Sequence, residues 1–267
     1  MSKHLFKMKA KLSFALITII FYGCSTTRSL NYFQNLPQNA DPQVFSNEYY
    51  DYKVKFHDIL YIDIKTSTPE GKVEDFLQGN SSLAMNYMQG ESTQYLVGFS
   101  VDSCGNIRLP AIGDIHVAGE TVPQIKMKLQ TKVDSIFRHA YVDVKLLNFK
   151  YTVLGEARMP GTYVNYNNYI TVLEAIGRAG GISDFGKRDN ILVIRTTPKG
   201  TLTYRINLKD KSLLSSEAYY LMPNDVIVIE PGKQKLLNLN LPTFSFIITT
   251  VTSLVTTTIL LVNYLGK

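Results

Sequence analysis

Apolar and polar residues fall into two blocks of regular patterning, flanked by an apolar run at each end of the chain. The first block opens where Leu60, Ile62 and Ile64 alternate with Tyr61, Asp63 and Lys65. A period of two predicts a strand with one buried face, entered through a turn at His57-Asp58. From Ser67 to about Gln94 the chain is rich in Ser, Asn, Gln and Gly with scattered Met and shows no period, which predicts an inserted mobile loop. Strand signals resume over 95–101, and Asp102-Ser103-Cys104-Gly105 turns the chain into 107–109. Val122, Ile125, Leu129, Val133 and Ile136 then recur at helical spacing behind Thr121, with Pro123 in the first turn and Gln124 three places after the cap. These are the marks of a helix start. The helix leads into 141–147, where Val142, Val144 and Leu146 face one way as a strand. Strand, helix and strand predict an α+β unit.

A second unit begins near Tyr151. Its first strand reaches Gly155, turns at Met159-Pro160-Gly161 and continues over 162–166. Thr171 with Glu174 caps a short helix carrying Val172, Leu173 and Ile176, which Gly180-Gly181 ends. Strands over 190–195 and 201–208 follow around a Pro198-Lys199-Gly200 turn, and Asp225 leads into a last strand over 226–229. The expected result is a small sheet with one helix packed on it. The phrase around His57-Asp58, an Asp placed just before an apolar strand, recurs as Asn224-Asp225. Asp favours such turns by hydrogen-bonding nearby backbone, so one entry device is expected twice.

The two ends carry membrane signals. Lys3 to Lys11 form a basic region, an apolar run over 12–22 follows, and Gly23-Cys24 comes next. Eleven apolar residues make a helix of roughly 16 Å, about half a bilayer core, so the run reads as an export signal over 1–23 rather than a span. A small residue before Cys is what a lipoprotein signal peptidase reads, so Cys24 is expected to be the lipid-bearing N-terminus, although Phe21 and Tyr22 depart from the usual pattern. At the other end, 244–265 has no charge and no Pro and would be about 33 Å long as a helix, enough to span hydrocarbon. Ser245, Thr249, Thr252, Ser253, Thr256 and Thr257 recur at intervals of three and four, opposite Ile247, Val251, Leu254 and Val255. Two readings of that hydroxyl stripe stand side by side. It lines water in a ring of helices, or the hydroxyls return to their own i−4 carbonyls or pack on a neighbour.

Charge and composition narrow the chemistry. The chain has 28 Lys+Arg against 22 Asp+Glu, a formal +6. Removing the four N-terminal lysines leaves 24 against 22, or +2, which gives no footprint for a nucleic-acid backbone. Two cysteines in 267 residues exclude a disulfide framework, and Cys104 is assigned no chemistry. The four histidines, His4, His57, His116 and His139, have no metal-ligand spacing, and no G-x-S-x-G elbow occurs. Gly181-Ile182-Ser183-Asp184-Phe185-Gly186-Lys187-Arg188 nearly matches a phosphate loop, but Arg188 stands where a hydroxyl is needed; a helix cap and turn explain it. Glu156, Arg158 and Arg178 are candidates to meet an anionic glycan or another subunit, and the 17 Tyr offer stacking faces. No catalytic residue, metal ligand or cofactor is expected.

Over Tyr52 to Pro231 the chain resembles the outer-membrane polysaccharide export family, the Wza-like lipoproteins of capsule and exopolysaccharide secretion. The residues that carry this are Tyr52 to Lys65, Gly105-Asn106-Ile107-Arg108-Leu109-Pro110-Ala111-Ile112-Gly113 and Val117-Ala118-Gly119-Glu120-Thr121. Val153, Gly155, Pro160-Gly161, Leu173 and Gly180-Gly181 are similar to a soluble-ligand-binding β-grasp (SLBB) domain. The implied α+β organisation is a signal peptide over 1–23, a tether over 24–50, an export domain over 51–149, one SLBB β-grasp domain over 150–231 and a C-terminal transmembrane helix over 243–265. The implied function is that of a non-enzymatic outer-membrane lipoprotein, anchored through Cys24 with its soluble domains in the periplasm. It would form a homo-oligomeric ring that exports a polysaccharide, docked on an inner-membrane co-polymerase, with Ser245, Thr249, Thr252 and Thr256 lining the pore. The alternative is a periplasmic glycan-binding or scaffold lipoprotein that its C-terminal helix merely anchors.

Overall fold

The computed structural model describes residues 31–37, 41–47, 49–67, 73–75, 77, 97–137 and 139–265. The export signal, Cys24 and most of the stretch expected to loop between Ser67 and Gln94 lie outside the described residues. One described segment of that stretch corrects the loop expectation: Val73–Asp75 forms strand β2, antiparallel to the end of β1 (Ile59–Ser67).

β1 is the axis of the first unit. It pairs antiparallel with β6 (Ala140–Leu146) along one edge, and with β2 and the short β3 (Phe99–Ser100) along the other. Its alternation places Leu60, Ile62 and Ile64 inward, against Val142 and Val144 of β6. Helix α1 (Val122–Asp134) covers them with Ile125, Leu129 and Val133. Thr121 and Gln124 close a reciprocal capping box at its start, satisfying amide groups that a helix end otherwise leaves bare. The helix stops at Asp134, two residues short of the periodic Ile136, which is exposed in the following turn. The hairpin β4 (Asn106–Leu109) and β5 (Gly113–His116) closes the core with Ile107, Leu109 and Ile115.

The second unit is a five-stranded sheet ordered β10-β9-β11-β7-β8: β7 is Lys150–Gly155, β8 Gly161–Val164, β9 Gly186–Thr197, β10 Gly200–Ile206 and β11 Val226–Pro231. β11 runs parallel to β7, and the other pairs are antiparallel. Helix α2 (Val172–Arg178) packs Val172, Ala175 and Ile176 into the core beside Tyr151, Val153, Ile191, Val193 and Ile227. Thr171 and Glu174 cap its start. Gly180 and Gly181 follow its end in the left-handed region at φ 74° and 82°, which glycine adopts without steric cost. β9 begins four residues before the apolar alternation does. There the inward position belongs to Arg188, whose guanidinium donates to Gly186 O and Ile182 O.

β11 passes through Gly232 into α3 (Lys233–Leu265), a single helix about 50 Å long at 1.5 Å per residue. It starts ten residues before the span expected over 243–265, and the transmembrane expectation is corrected in kind. Among the described residues no helix is long and apolar enough to cross a membrane. More than half of residues 245–258 are Ser or Thr. The helix is two-faced, not a plain apolar anchor.

Candidate functional site

The foot of α3 is tied to the second unit. Gly232 N–H donates to Phe185 O at 2.6 Å, and a Cβ on Gly232 would sit 3.0 Å from that oxygen. Lys235 Nζ pairs with Glu156 Oε1, and Ser183 Oγ donates to Glu156 Oε2 at 2.8 Å. Lys235 first, and Ser183 after it, hold the Glu156 carboxyl below the ordinary glutamate value. Glu156 therefore serves inside the chain as the latch of the helix, which corrects its candidacy for an external glycan or subunit.

Beyond the latch, every described side chain from Ser245 to Leu265 is exposed, among them Phe246, Ile248, Leu254 and Leu260. At 100° per residue, Ser245, Thr249, Thr252 and Thr256 share one narrow arc, with Ser253 and Thr257 at its side. Ile247, Val251, Leu254 and Val255 occupy the opposite arc. Each threonine hydroxyl in that stretch donates to the carbonyl four residues back. The bonds run from Thr249 to Ser245, Thr250 to Phe246, Thr252 to Ile248, Thr256 to Thr252, Thr257 to Ser253 and Thr258 to Leu254. The hydroxyl protons are thereby satisfied within the helix, while the oxygen lone pairs still face outward as acceptors. The two readings of the stripe are compatible: a hydroxyl bonded to its own backbone still presents a wettable oxygen.

The repeated turn is built alike in both units. His57 and Asn224 both stand at positive φ, 70° and 68°. Each is followed by a buried aspartate whose carboxylate takes the amide three residues back, Lys55 N–H to Asp58 at 2.7 Å and Met222 N–H to Asp225 at 2.8 Å. Asn148 braces the first of these turns. It donates to His57 O and to Asp58 Oδ1 and accepts from Ile59 N–H. Burial pushes the Asp58 carboxyl up, against the pull of the Lys55 amide, Tyr52 and Asn148. Burial likewise pushes Asp225 up, against a bidentate Arg195 whose Nη2 lies 2.8 Å away. Sequence patterning had no means of finding Asn148 or Arg195, because their partners lie about ninety and thirty residues away.

A shallow cleft of about 50 Å³ is lined by residues of both units. Its lining includes Tyr49, Asp51 and Tyr52, Lys145 and Phe149, and Tyr166, Asn167 and Asn168. The last three belong to the loop between β8 and α2, which is pinned at two points. Buried Asn165 donates through Nδ2 to Asn167 O and Tyr169 O, and Tyr49 OH donates to Asn168 O. Tyr49, Tyr169 and Tyr220 stack edge to face, with ring centroids 5.4 to 6.0 Å apart. Burial, then the Asp51 carboxylate, raises the Tyr49 phenol, which stays a donor. Tyr166 is left 84% exposed at the rim.

The remaining candidates are dispersed. Arg158 lies 3.9 Å from Asp184 at the surface, and Arg178 donates to Val164 O. The near-match to a phosphate loop is the turn into β9, where carbonyls receive Arg188 and no amide cradle forms. His57 and His139 occupy turns at positive φ, His116 ends β5 against Asn106, and His4 lies outside the described residues. Among the described residues no three His, Cys, Asp or Glu gather as metal ligands. Cys104 is an exposed thiol in the turn before β4.

Residues 46–147 match the family model of polysaccharide biosynthesis/export proteins, and residues 149–229 match that of the SLBB domain. Asn148 is the one residue between them. The EPS I polysaccharide export outer membrane protein EpsA of Ralstonia solanacearum is 32% identical over 143 residues, covering 52% of this chain and 37% of that one. The protein of the same description from Ralstonia nicotianae is 33% identical over 101 residues, covering 35% of this chain and 26% of that one. The matched part thus spans 26% to 37% of these relatives' length.

Proposed function

On the premise that this chain belongs to the outer-membrane polysaccharide export family, we propose that it is a lipoprotein subunit of an oligomeric translocon. The assembly would pass a finished capsular or exopolysaccharide across the outer membrane. Copies anchored through Cys24 close into a ring with both soluble units in the periplasm, receiving polymer from an inner-membrane co-polymerase. Their α3 helices gather side by side, with Ser245, Thr249, Thr252 and Thr256 toward the conduit and the opposite arc toward lipid. The function is transport and involves no catalytic residue.

The observation that carries this reading is the state of α3 in a single chain. Large apolar side chains from Phe246 to Leu265 are exposed along a helix about 50 Å long. Apolar surface of that extent calls for lipid or other copies to cover it. A helix that lines water on one side need not be apolar all round, so the hydroxyl content that disqualifies α3 as a lone span suits it to a closed ring. A hydrated sugar polymer cannot cross hydrocarbon, and hydroxyl oxygens let it pass without holding it tightly.

Particle images of the detergent-extracted full chain test the proposal, together with water-soluble thiol reagents applied to Thr249→Cys and Thr256→Cys in a Cys104→Ser background. Closed rings and labelling at both positions are expected. Single copies with α3 unlabelled would instead favour the anchored scaffold.

A further inference from the structure

We propose that the second unit joins copies of this chain edge to edge: β10 of one copy takes β8 of the next as an added antiparallel strand. This rests on the ring reading and deepens it, by naming the surface through which each copy meets its neighbour.

The sheet ends in two open edges. In the order β10-β9-β11-β7-β8, each outer strand has a neighbour on one side only. The turn at Pro198-Lys199 makes Thr197 and Gly200 the closing pair of the β9–β10 hairpin, and the register then sets Leu202 against Arg195 and Tyr204 against Val193. Backbone groups alternate in direction along an antiparallel strand, so Gly200, Leu202 and Tyr204 bond to β9 while Thr201, Thr203 and Arg205 turn their N–H and C=O outward. Among the described residues no hydrogen bond reaches those outward groups. β8 alternates likewise. Asn165 N–H donates to Phe149 O, which turns Tyr163 and Gly161 toward β7 and leaves Thr162 and Val164 outward. Among the described residues Arg178 alone reaches that edge, donating to Val164 O at 3.4 Å.

An open edge is a template for another strand, and soluble proteins blunt theirs with Pro, Lys or a bulge. From Thr201 to Arg205 β10 has none of these, its register runs unbroken, and Gly200 to Thr203 are all exposed. Strand addition at such an edge takes its affinity from main-chain hydrogen bonds.

Strand sense and charge choose the occupant. β10 runs parallel to β11 and so to β7, whereas β8 runs against β7. Rotation about a ring axis therefore lays β8 of the next copy antiparallel to β10, with the face bearing α2 on the same side in both. Unlike edges meeting head to tail is the arrangement that closes rings. Two-fold pairing of like edges is the competing geometry, and charge opposes it. Arg178, in α2, stands beside β8. Glu217 is exposed on the same face near the other edge, its carbonyl held by Arg195, whose β10 neighbour is Leu202. Joining β10 to β10 would bring two Glu217 together, and joining β8 to β8 two Arg178. Joining β10 to β8 turns cation toward anion, and Leu202, 48% exposed on that face, gains cover in the same step.

The experiment treats detergent-solubilised full chain carrying Cys104→Ser, Thr201→Cys and Val164→Cys with a short bismaleimide, one that joins only residues opposite or diagonal across a strand pair, about 8 Å or less apart. Within one copy the two positions lie at opposite edges of the sheet, four strand spacings or about 19 Å apart, so linkage reports neighbouring copies. A ladder of joined copies on a denaturing gel is expected, with positions 201 and 164 joined in the mapped peptides, and each single substitution should give none. Adding Thr203→Pro deletes an outward N–H and spares the bonds to β9, a place where edge strands tolerate Pro. Circular dichroism should be unchanged and the linkage yield should fall about tenfold. No ladder from the double variant, linkage of position 201 to itself in Thr201→Cys alone, or full linkage with Thr203→Pro overturns the assignment. Particle images of the same samples separate the two claims. Closed rings without linkage overturn the edge pairing alone, and linked open rows of copies without closed rings support it while removing the ring.

Discussion

Replacing Arg195 with Met leaves the carboxylate of Asp225 without its cation inside the second unit. Asp225 is fully buried and the Arg195 side chain is only 12% exposed, with contacts of 3.1, 3.2 and 2.8 Å between them. Removing one partner of such a pair costs about 3–5 kcal/mol, because the surviving charge keeps its desolvation and loses its compensation. Arg195 also donates to Tyr220 O at 2.8 Å, so a remainder of about 1 kcal/mol should persist even when Asp225 is neutral. The loss must therefore depend on pH. Burial already raises the Asp225 carboxyl above its ordinary 3.8, and without Arg195 it rises further. A folded-state value above the unfolded one stabilises fully below the unfolded pKa, and that stability is lost as pH rises through the folded value. The variant should therefore lie close to the parent at acid pH and fall away from it toward neutrality. Urea unfolding followed by circular dichroism and tyrosine emission at several pH values measures this. A deficit that is constant with pH, or below about 1 kcal/mol at neutrality, would refute the reasoning.

Three further outcomes follow from other parts of the chain. Gly155→Ala would place a Cβ 2.1 Å from Ile229 O at φ 84°; unfolding midpoints should show at least about 1–3 kcal/mol lost, and an unchanged midpoint would contradict the parallel β7–β11 pairing. Val255→Asp, on the apolar arc of α3, should cost about 2.5–3.5 kcal/mol at a helix centre, so that surface polymer falls while the soluble units remain folded; undiminished export would argue against lipid contact there. Because Lys235 and Ser183 hold Glu156 below its ordinary 4.5, the latch contributes stability above that value and loses it as pH falls through the depressed one. Limited proteolysis around Gly232 should therefore accelerate on acidification, and Glu156→Gln should be fast at every pH.

The strands and helices were legible wherever one face is buried and a cap marks the start. Leu60-Ile62-Ile64, the Thr121–Gln124 and Thr171–Glu174 boxes and the glycines after α2 each state their structure locally. β2 was missed because Val73–Asp75 is a short edge strand in polar surroundings. The start of β9 was missed because Arg188 occupies an inward position that patterning reserves for apolar residues. The repeated Asp turn was visible, but its use was not. Burial of Asp58 and Asp225, and the bonds that Asn148 and Arg195 make to these turns, exist only once segments distant in sequence pack together. The same holds for the cleft, whose walls come from four separate stretches of chain. For α3 the hydroxyl spacing was plain from sequence, whereas the latch at its foot depends on Glu156, nearly eighty residues earlier.

That latch has a geometric outcome. Because Gly232, Lys235 and Glu156 fix the base of α3 on the sheet, every copy in the proposed ring would carry its long arm at one inclination. When identical wedges close on themselves, their number follows from the angle each subtends. If copies assemble as proposed, a change at the latch would alter how many fit the circle, and so the bore, before it altered how strongly any two adhere.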